Sequence, residues 1–139
     1  MATRSTRSTG TRSLNSIVAL GFGAVFTLVG LAGFLVSNTF AATDDATLLG
    51  FEVNNLHNIV HLLIGVVLIA ASRTTATART ANLGIGIAYL GLAVLGPFIT
   101  GTEANLLALN SPDHVLHLVS GLVLAGVGAL ADKTSRVRA

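Results

Sequence analysis

The chain has no cysteine, no tryptophan, one methionine and two prolines, and only 10% of its 139 residues are charged. Without cysteine there is no disulfide, no thiolate metal site and no haem attached through a C-x-x-C-H motif. The scarcity of charge is the most informative absence. A water-soluble domain carries about 25% charged residues, so this chain has too little polar surface to coat itself in water. No nucleophile stands in a recognisable motif with a base, and no phosphate-binding glycine loop or nucleic-acid signature is present. An enzyme and a nucleic-acid partner are therefore not expected. What fills the chain instead is apolar: 52% of residues are hydrophobic and the mean hydropathy is +0.77. Composition places it among integral membrane proteins, with the lipid bilayer as its first partner.

Four apolar runs cover about 14–37, 56–72, 81–100 and 115–131. A helix needs about 20 mostly apolar residues to cross the hydrocarbon layer. In lipid the backbone must satisfy its own hydrogen bonds, so such runs read as helices. The second and fourth runs are short, and reach full length only if the polar segments before them are helical too. The expected fold is all-α, with four transmembrane helices at about 14–37, 55–72, 81–100 and 112–131. These form one domain over 14–131, flanked by a disordered basic tail at 1–13 and a second tail at 132–139.

Charge orients the domain. The cations are Arg4, Arg7 and Arg12, then Arg73 and Arg79, then Lys133, Arg136 and Arg138. The other two connections carry Asp44, Asp45, Glu52, Glu103 and Asp113. The positive-inside rule puts both termini and the middle loop in the cytoplasm of a bacterial cell, as a multi-pass plasma-membrane protein. The basic tail, first apolar run and small residues at 39–42 also resemble a cleaved signal peptide. That run exceeds the roughly 7–15 residues of a signal-peptide core, so a retained span is expected.

The two halves resemble each other. NNLHNIVHLLIG at 54–65 and NSPDHVLHLVSG at 110–121 share the pattern N-x-x-[HD]-[NH]-x-x-H-L-x-x-G. LGFG at 20–23 matches LGIG at 83–86, Phe26 matches Tyr89, and Gly33 matches Gly96. Both halves would start on the same side, giving two hairpins in a parallel repeat about an axis along the membrane normal. The recurring glycines suit close packing of transmembrane helices, and Pro97 is expected to end or bend the third helix.

The polar segments supply the candidate site. Asn54 and Asn110 are good N-cap residues. Asp113 adds negative charge where the helix dipole favours it, and Pro112 suits a first turn. Capping and interfacial solvation account for Asn54, His57, Asn110 and Asp113. His61 and His117 each lie seven residues past their asparagine, Asn54 or Asn110, and so roughly 10 Å deeper at about 1.5 Å per residue. With Asn58, Gly65 and Gly121 they continue a stripe at helical spacing, and a polar stripe in a membrane should face the bundle interior. The two stripes are expected to confront each other, with His61 and His117 at one depth.

Several roles fit that arrangement. The histidines could lock the bundle by hydrogen-bonding to each other or to Asn58. They could bind haem b axially. His57, His61, His117 and Asp113 could hold zinc or another transition metal. The group could also relay protons or sense external pH. The pair His57 and His61 lacks the glutamate of zinc proteases. The leading expectation is a non-enzymatic structural or accessory bundle without a cofactor, held on its outward side by a His/Asn/Asp cluster. It would serve a larger membrane assembly or a homo-oligomer. The alternative is a haem-, metal- or proton-binding transport or sensor protein using His61 and His117.

On LLGFEVNNLHNIVHLLIGV at 48–66 and LNSPDHVLHLVSGLVL at 109–124, the chain resembles a bacterial, mostly actinobacterial, family of small membrane proteins, the DUF4383 group. The resemblance runs from about residue 14 to 131. It implies a four-helix membrane architecture without an assigned activity, and singles out Asn54, His57, Asn58, His61, Asn110, Asp113 and His117. His114 departs from the resemblance, which leads one to expect asparagine there, so it is the weakest candidate ligand of the four histidines.

Overall fold

A computed structural model describes residues 11–42 and 46–133. Most of the two expected tails, 1–10 and 134–139, lies outside the described residues. Four helices follow in order: α1 Leu14–Gly33, α2 Asn55–Ala71, α3 Thr75–Ile99 and α4 Ser111–Leu130. Two short strands, β1 Thr47–Leu48 and β2 Phe51–Glu52, form an antiparallel hairpin before α2. α1, α3 and α4 are long and apolar enough to cross a membrane, whereas α2, at 17 residues, is shorter.

Each helix starts at a side chain that satisfies its orphan amides. Ser13 accepts from the Ser16 amide, Asn54 from His57, Thr74 from Thr77 and Asn110 from Asp113. The last is a reciprocal capping box, because the Asp113 carboxylate accepts from the Asn110 amide at 3.0 Å.

Two helix ends differ from the limits of the apolar runs. α1 stops at Gly33 although apolar residues continue to Val36, because the chain turns there, with Leu35 N–H donating to the Ala32 carbonyl at 3.0 Å. Its 20 residues already suffice for a span. α3 starts before its apolar run, because the Thr74 cap recruits residues 75–80, alternately polar and alanine at first, into the first turns. Pro97 sits in the last turn of α3. The helix ends two residues later, where the Thr100 hydroxyl closes on the Gly96 carbonyl at 2.9 Å.

α1 packs chiefly on α2, and α3 chiefly on α4. Glycine permits both approaches. A Cβ on Gly23 would lie 2.9 Å from the Gly65 carbonyl oxygen, and one on Gly121 would lie 3.0 Å from the Gly86 carbonyl oxygen. Where lipid replaces water, such close van der Waals packing holds helices together. Ala19, Phe26, Leu68, Ala78, Tyr89 and Leu124 form the buried apolar core. Large apolar side chains such as Leu28, Val94 and Val119 point outward, as expected where acyl chains take the place of water.

At the end of the bundle where α1 starts and α4 ends, a polar knot ties three helices. The Asn15 amide donates to the Val127 carbonyl at 3.3 Å and to the Asp132 carboxylate at 3.0 Å. Asn82 in turn donates to the Asn15 side chain at 3.0 Å. At the opposite end, the hairpin turns through Leu49 and Gly50, both with positive φ, at 56° and 91°. This is the backbone of a two-residue turn whose twist matches the strands. The Asn110 side chain donates to the Gly50 carbonyl at 3.0 Å, fastening the hairpin over the start of α4.

Candidate functional site

Asn54 is fully buried and does two jobs. Its oxygen caps α2 at the His57 amide, 2.8 Å away, while its nitrogen donates to the carbonyls of Ala41 and Leu106, each at 2.8 Å. It thereby joins both loops at this end of the bundle. Asn110 and Asp113 are likewise committed to the cap of α4. His57, by contrast, is not solvated at the interface as its position in the first turn led us to expect, being only 4% exposed.

One turn deeper, three imidazoles meet. Ring centroids are 4.7 Å apart for His57 and His61, 6.3 Å for His57 and His117, and 6.4 Å for His61 and His117. One nitrogen from each can be chosen so that all three lie within 4.8 Å of one another. Among the described residues this is the one group of three or more potential metal-binding side chains so arranged, and it does not include Asp113. Phe26 and Tyr89 pack edge-on beneath it, at 5.2 Å from His61 and 4.8 Å from His117.

The hydrogen bonding of the rings is uneven. Nδ1 of His117 lies 2.7 Å from the Asp113 backbone carbonyl. A carbonyl can only accept, so this nitrogen carries the proton and Nε2 keeps its lone pair. His57 has a buried Nδ1 without a partner. His61 has a buried, unpartnered Nδ1 and no hydrogen bond at either ring nitrogen among the described residues. A buried polar atom left unpaired costs about 1–3 kcal/mol, so the group is short of partners.

Asn58 does not supply them. Its side chain lies against Gly33 of α1, and its Nδ2 is itself unpartnered. His114 also stands apart, packed on Gly96 with its Nε2 2.9 Å from the Thr100 hydroxyl. Of the seven residues singled out in the sequence, the structure gathers His57, His61 and His117. Asn54, Asn110 and Asp113 form a layer of caps above them, and Asn58 faces another helix. Tyr89 went unrecognised as part of the site, although its match to Phe26 between the two halves was a usable signal.

Two cavities reach the cluster. One of about 80 Å³ lies under the hairpin, between Leu48, Phe51, His57, His61 and Asp113. Another of about 560 Å³ lies between α1 and α4 and includes Phe22, Phe26, His61, Leu116 and Ser120 in its walls.

Chemically, three neutral imidazoles without sulfur suit zinc, copper or nickel. In a tetrahedral zinc site with Zn–N of about 2.0–2.1 Å, ligand nitrogens are roughly 3.3 Å apart, leaving a fourth position open. The three donors, within 4.8 Å of one another, would have to close by up to about 1.5 Å to reach that spacing. An axially ligated haem fits less well. The rings of His57 and Tyr89 stand against both His61 and His117, at 4.7–6.4 Å, where a porphyrin would need a clear slot.

Four apolar helices, three of them long enough to span, with outward-facing hydrophobic side chains, define a helical protein of the membrane type. The chain belongs to the family described as Domain of unknown function (DUF4383), whose model matches residues 16–130, including every candidate residue above. No curated protein and no solved structure matches it.

Proposed function

We propose that this protein is a non-enzymatic, multi-pass plasma-membrane bundle that binds one first-row divalent cation, of the zinc class, through His57, His61 and His117. The observation that carries the reading is three buried imidazoles whose nitrogens converge within 4.8 Å while two of the rings keep an unpartnered Nδ1. The Asp113 carbonyl holds the His117 ring in the tautomer that presents Nε2, an outer-shell arrangement common to metal-binding histidines. Asp113 itself, one turn away, offers negative charge near the cation without joining the donor set.

Both termini lie on the cytoplasmic side in this reading, so the histidines occupy the outer half of the membrane. Arg12, Arg73, Arg79 and Lys133 support that orientation, with Glu52 and Glu103 at the other end. We also read the two hairpins as a duplication. Matched positions make matched contacts: Gly23 with Gly65 and Gly86 with Gly121, then Gly33 with Asn58 and Gly96 with His114. His114 thus stands where the first hairpin has an asparagine that is also outside the histidine group.

A purely structural cluster is the competing reading. The bonds of Asn54, Asn110 and Asp113 favour it, since all three are committed to caps and loops. It leaves the unpaired ring of His61 unexplained. Calorimetric titration with Zn²⁺ of protein purified in detergent and stripped with chelator separates the two. The metal reading expects one ion per chain and loss of that binding in His61→Ala/His117→Ala. Absence of stoichiometric binding in the wild type would leave the structural reading in its place.

A further inference from the structure

The cavity between α1 and α4 has a composition unlike a packing defect. Val18, Phe22, Val25, Phe26, Val29 and Leu116 make its walls apolar. Its polar contributors are His61 and Ser120, which are only 5% exposed each. No hydrogen bond reaches the Ser120 hydroxyl or the His61 ring among the described residues. At the rim, Val25 is 54% and Leu116 40% exposed. These are apolar side chains on helix faces that meet lipid, so the opening faces sideways into the bilayer. A molecule dissolved in the membrane could reach the histidine group without crossing water.

The walls select among such molecules. An acyl chain would fill the apolar space but leave His61 and Ser120 unpaired. A volume of about 560 Å³ falls in the range of ligand pockets, which are mostly apolar with a few placed polar groups. Phe22 and Phe26 meet edge to face, 5.5 Å apart, and give the cavity an aromatic wall suited to a flat ring. We infer that this cavity binds a lipid-soluble molecule with a flat, oxygen-bearing head, of the phenol or quinone class, whose oxygen pairs with His61 and Ser120. The inference rests on the membrane placement proposed above but does not require a bound ion. If an ion occupies the inner side of the His61 ring, the ligand oxygen supplies the partner for its other nitrogen.

The test uses full-length protein in phosphatidylcholine nanodiscs and a decyl-tailed benzoquinone as the probe. Tyr89 is the single tyrosine and no tryptophan is present. Its ring lies 5.3 Å from that of Phe26, a wall residue of the cavity, so its emission reports quinone bound there. The expected result is saturable quenching at one probe per chain. A Cβ at Gly21, in the wall of the cavity, meets nothing within 4 Å, so Gly21→Phe projects a ring into that space and should weaken binding at least tenfold. Ser120→Ala should weaken it about threefold to tenfold. Linear quenching, identical in wild type and Gly21→Phe, would reveal simple partitioning into lipid and overturn the inference. Saturable quenching indifferent to both substitutions would place the quinone elsewhere, and equal displacement by decane would show that the head is not recognised; either result also overturns it. Zinc titration of the same samples keeps the readings apart. Loss of quinone binding with zinc binding intact removes only this inference, and the reverse removes only the metal site.

Discussion

The Nδ1 of His117 lies 2.7 Å from the backbone carbonyl of Asp113, one turn earlier in α4. That bond fixes the tautomer of the ring and leaves the Nε2 lone pair free, 6.3 and 6.4 Å centroid to centroid from the rings of His57 and His61. Loss of an outer-shell partner typically costs 10–100-fold in metal affinity, and loss of the ligand itself should cost more. His117→Ala is expected to weaken Zn²⁺ binding by more than about 100-fold. Asn110→Ala, which only disturbs the cap above Asp113, should weaken it by less than about 10-fold. Competition titration with a chromophoric chelator measures both.

The close approach within the hairpins predicts a sharp difference between glycines on one helix. On Gly86 a Cβ would collide with the Ala125 backbone, whereas on Gly84 it would meet nothing within 4 Å. Gly86→Ala should destabilise the protein by about 1–3 kcal/mol, the usual cost of overpacking. Gly84→Ala should be neutral or slightly stabilising, by up to about 1 kcal/mol from helix propensity. Denaturation in mixed micelles, followed by circular dichroism, distinguishes them.

Asn54 bridges the cap of α2 and two loops. Asn54→Ala removes an N-cap worth about 1 kcal/mol and leaves the Ala41 and Leu106 carbonyls without that donor. We expect a loss of about 2–4 kcal/mol once unsatisfied acceptors are included. Faster amide exchange at the start of α2 and in the 105–109 loop should accompany it.

At the other end, the Asn15 backbone amide donates to Asp132, as does its side chain, and both hold the Asp132 carboxyl below its ordinary value of 3.8. A depressed carboxylate contributes stability that is present above the unfolded value and lost as pH falls through the folded one. The wild type should therefore lose thermal stability below about pH 3.8 in excess of Asp132→Asn, which has no charge to lose. Melting curves collected for both proteins between neutrality and that range provide the comparison. Parallel decline of the two would remove Asp132 as the cause.

Orientation is open to direct labelling because the chain contains no cysteine. Glu103→Cys is expected to react with a membrane-impermeant maleimide in intact cells, and Lys133→Cys only after permeabilisation. The opposite pattern would invert the proposed topology and place the histidines near the cytoplasm.

The helices were legible because hydropathy and the requirement for internal backbone bonding leave few alternatives. The caps were legible as well, since Asn54 and Asn110 each stand just before a helical stripe. Other features depend on contacts that no local pattern encodes. The hairpin turns through Leu49, a residue type rarely found at positive φ, so only Gly50 hinted at it. The knot of Asn15, Asn82 and Asp132 joins three distant parts of the chain. His57 and Asn58 looked interchangeable on the stripe, yet one residue rotates a helix position by about 100°. That rotation sends His57 toward α4 and Asn58 toward Gly33 on α1. Spacing defined the stripe; the packing of α2 between its neighbours decided which residues meet.

X-ray absorption at the zinc edge of the stoichiometrically loaded protein tests the central claim most directly. We expect three imidazole nitrogens at about 2.0–2.1 Å, with the ring-scattering signature reduced by one histidine in each of His57→Ala, His61→Ala and His117→Ala. A shell of oxygen ligands alone, or a spectrum unchanged by all three substitutions, would contradict the account.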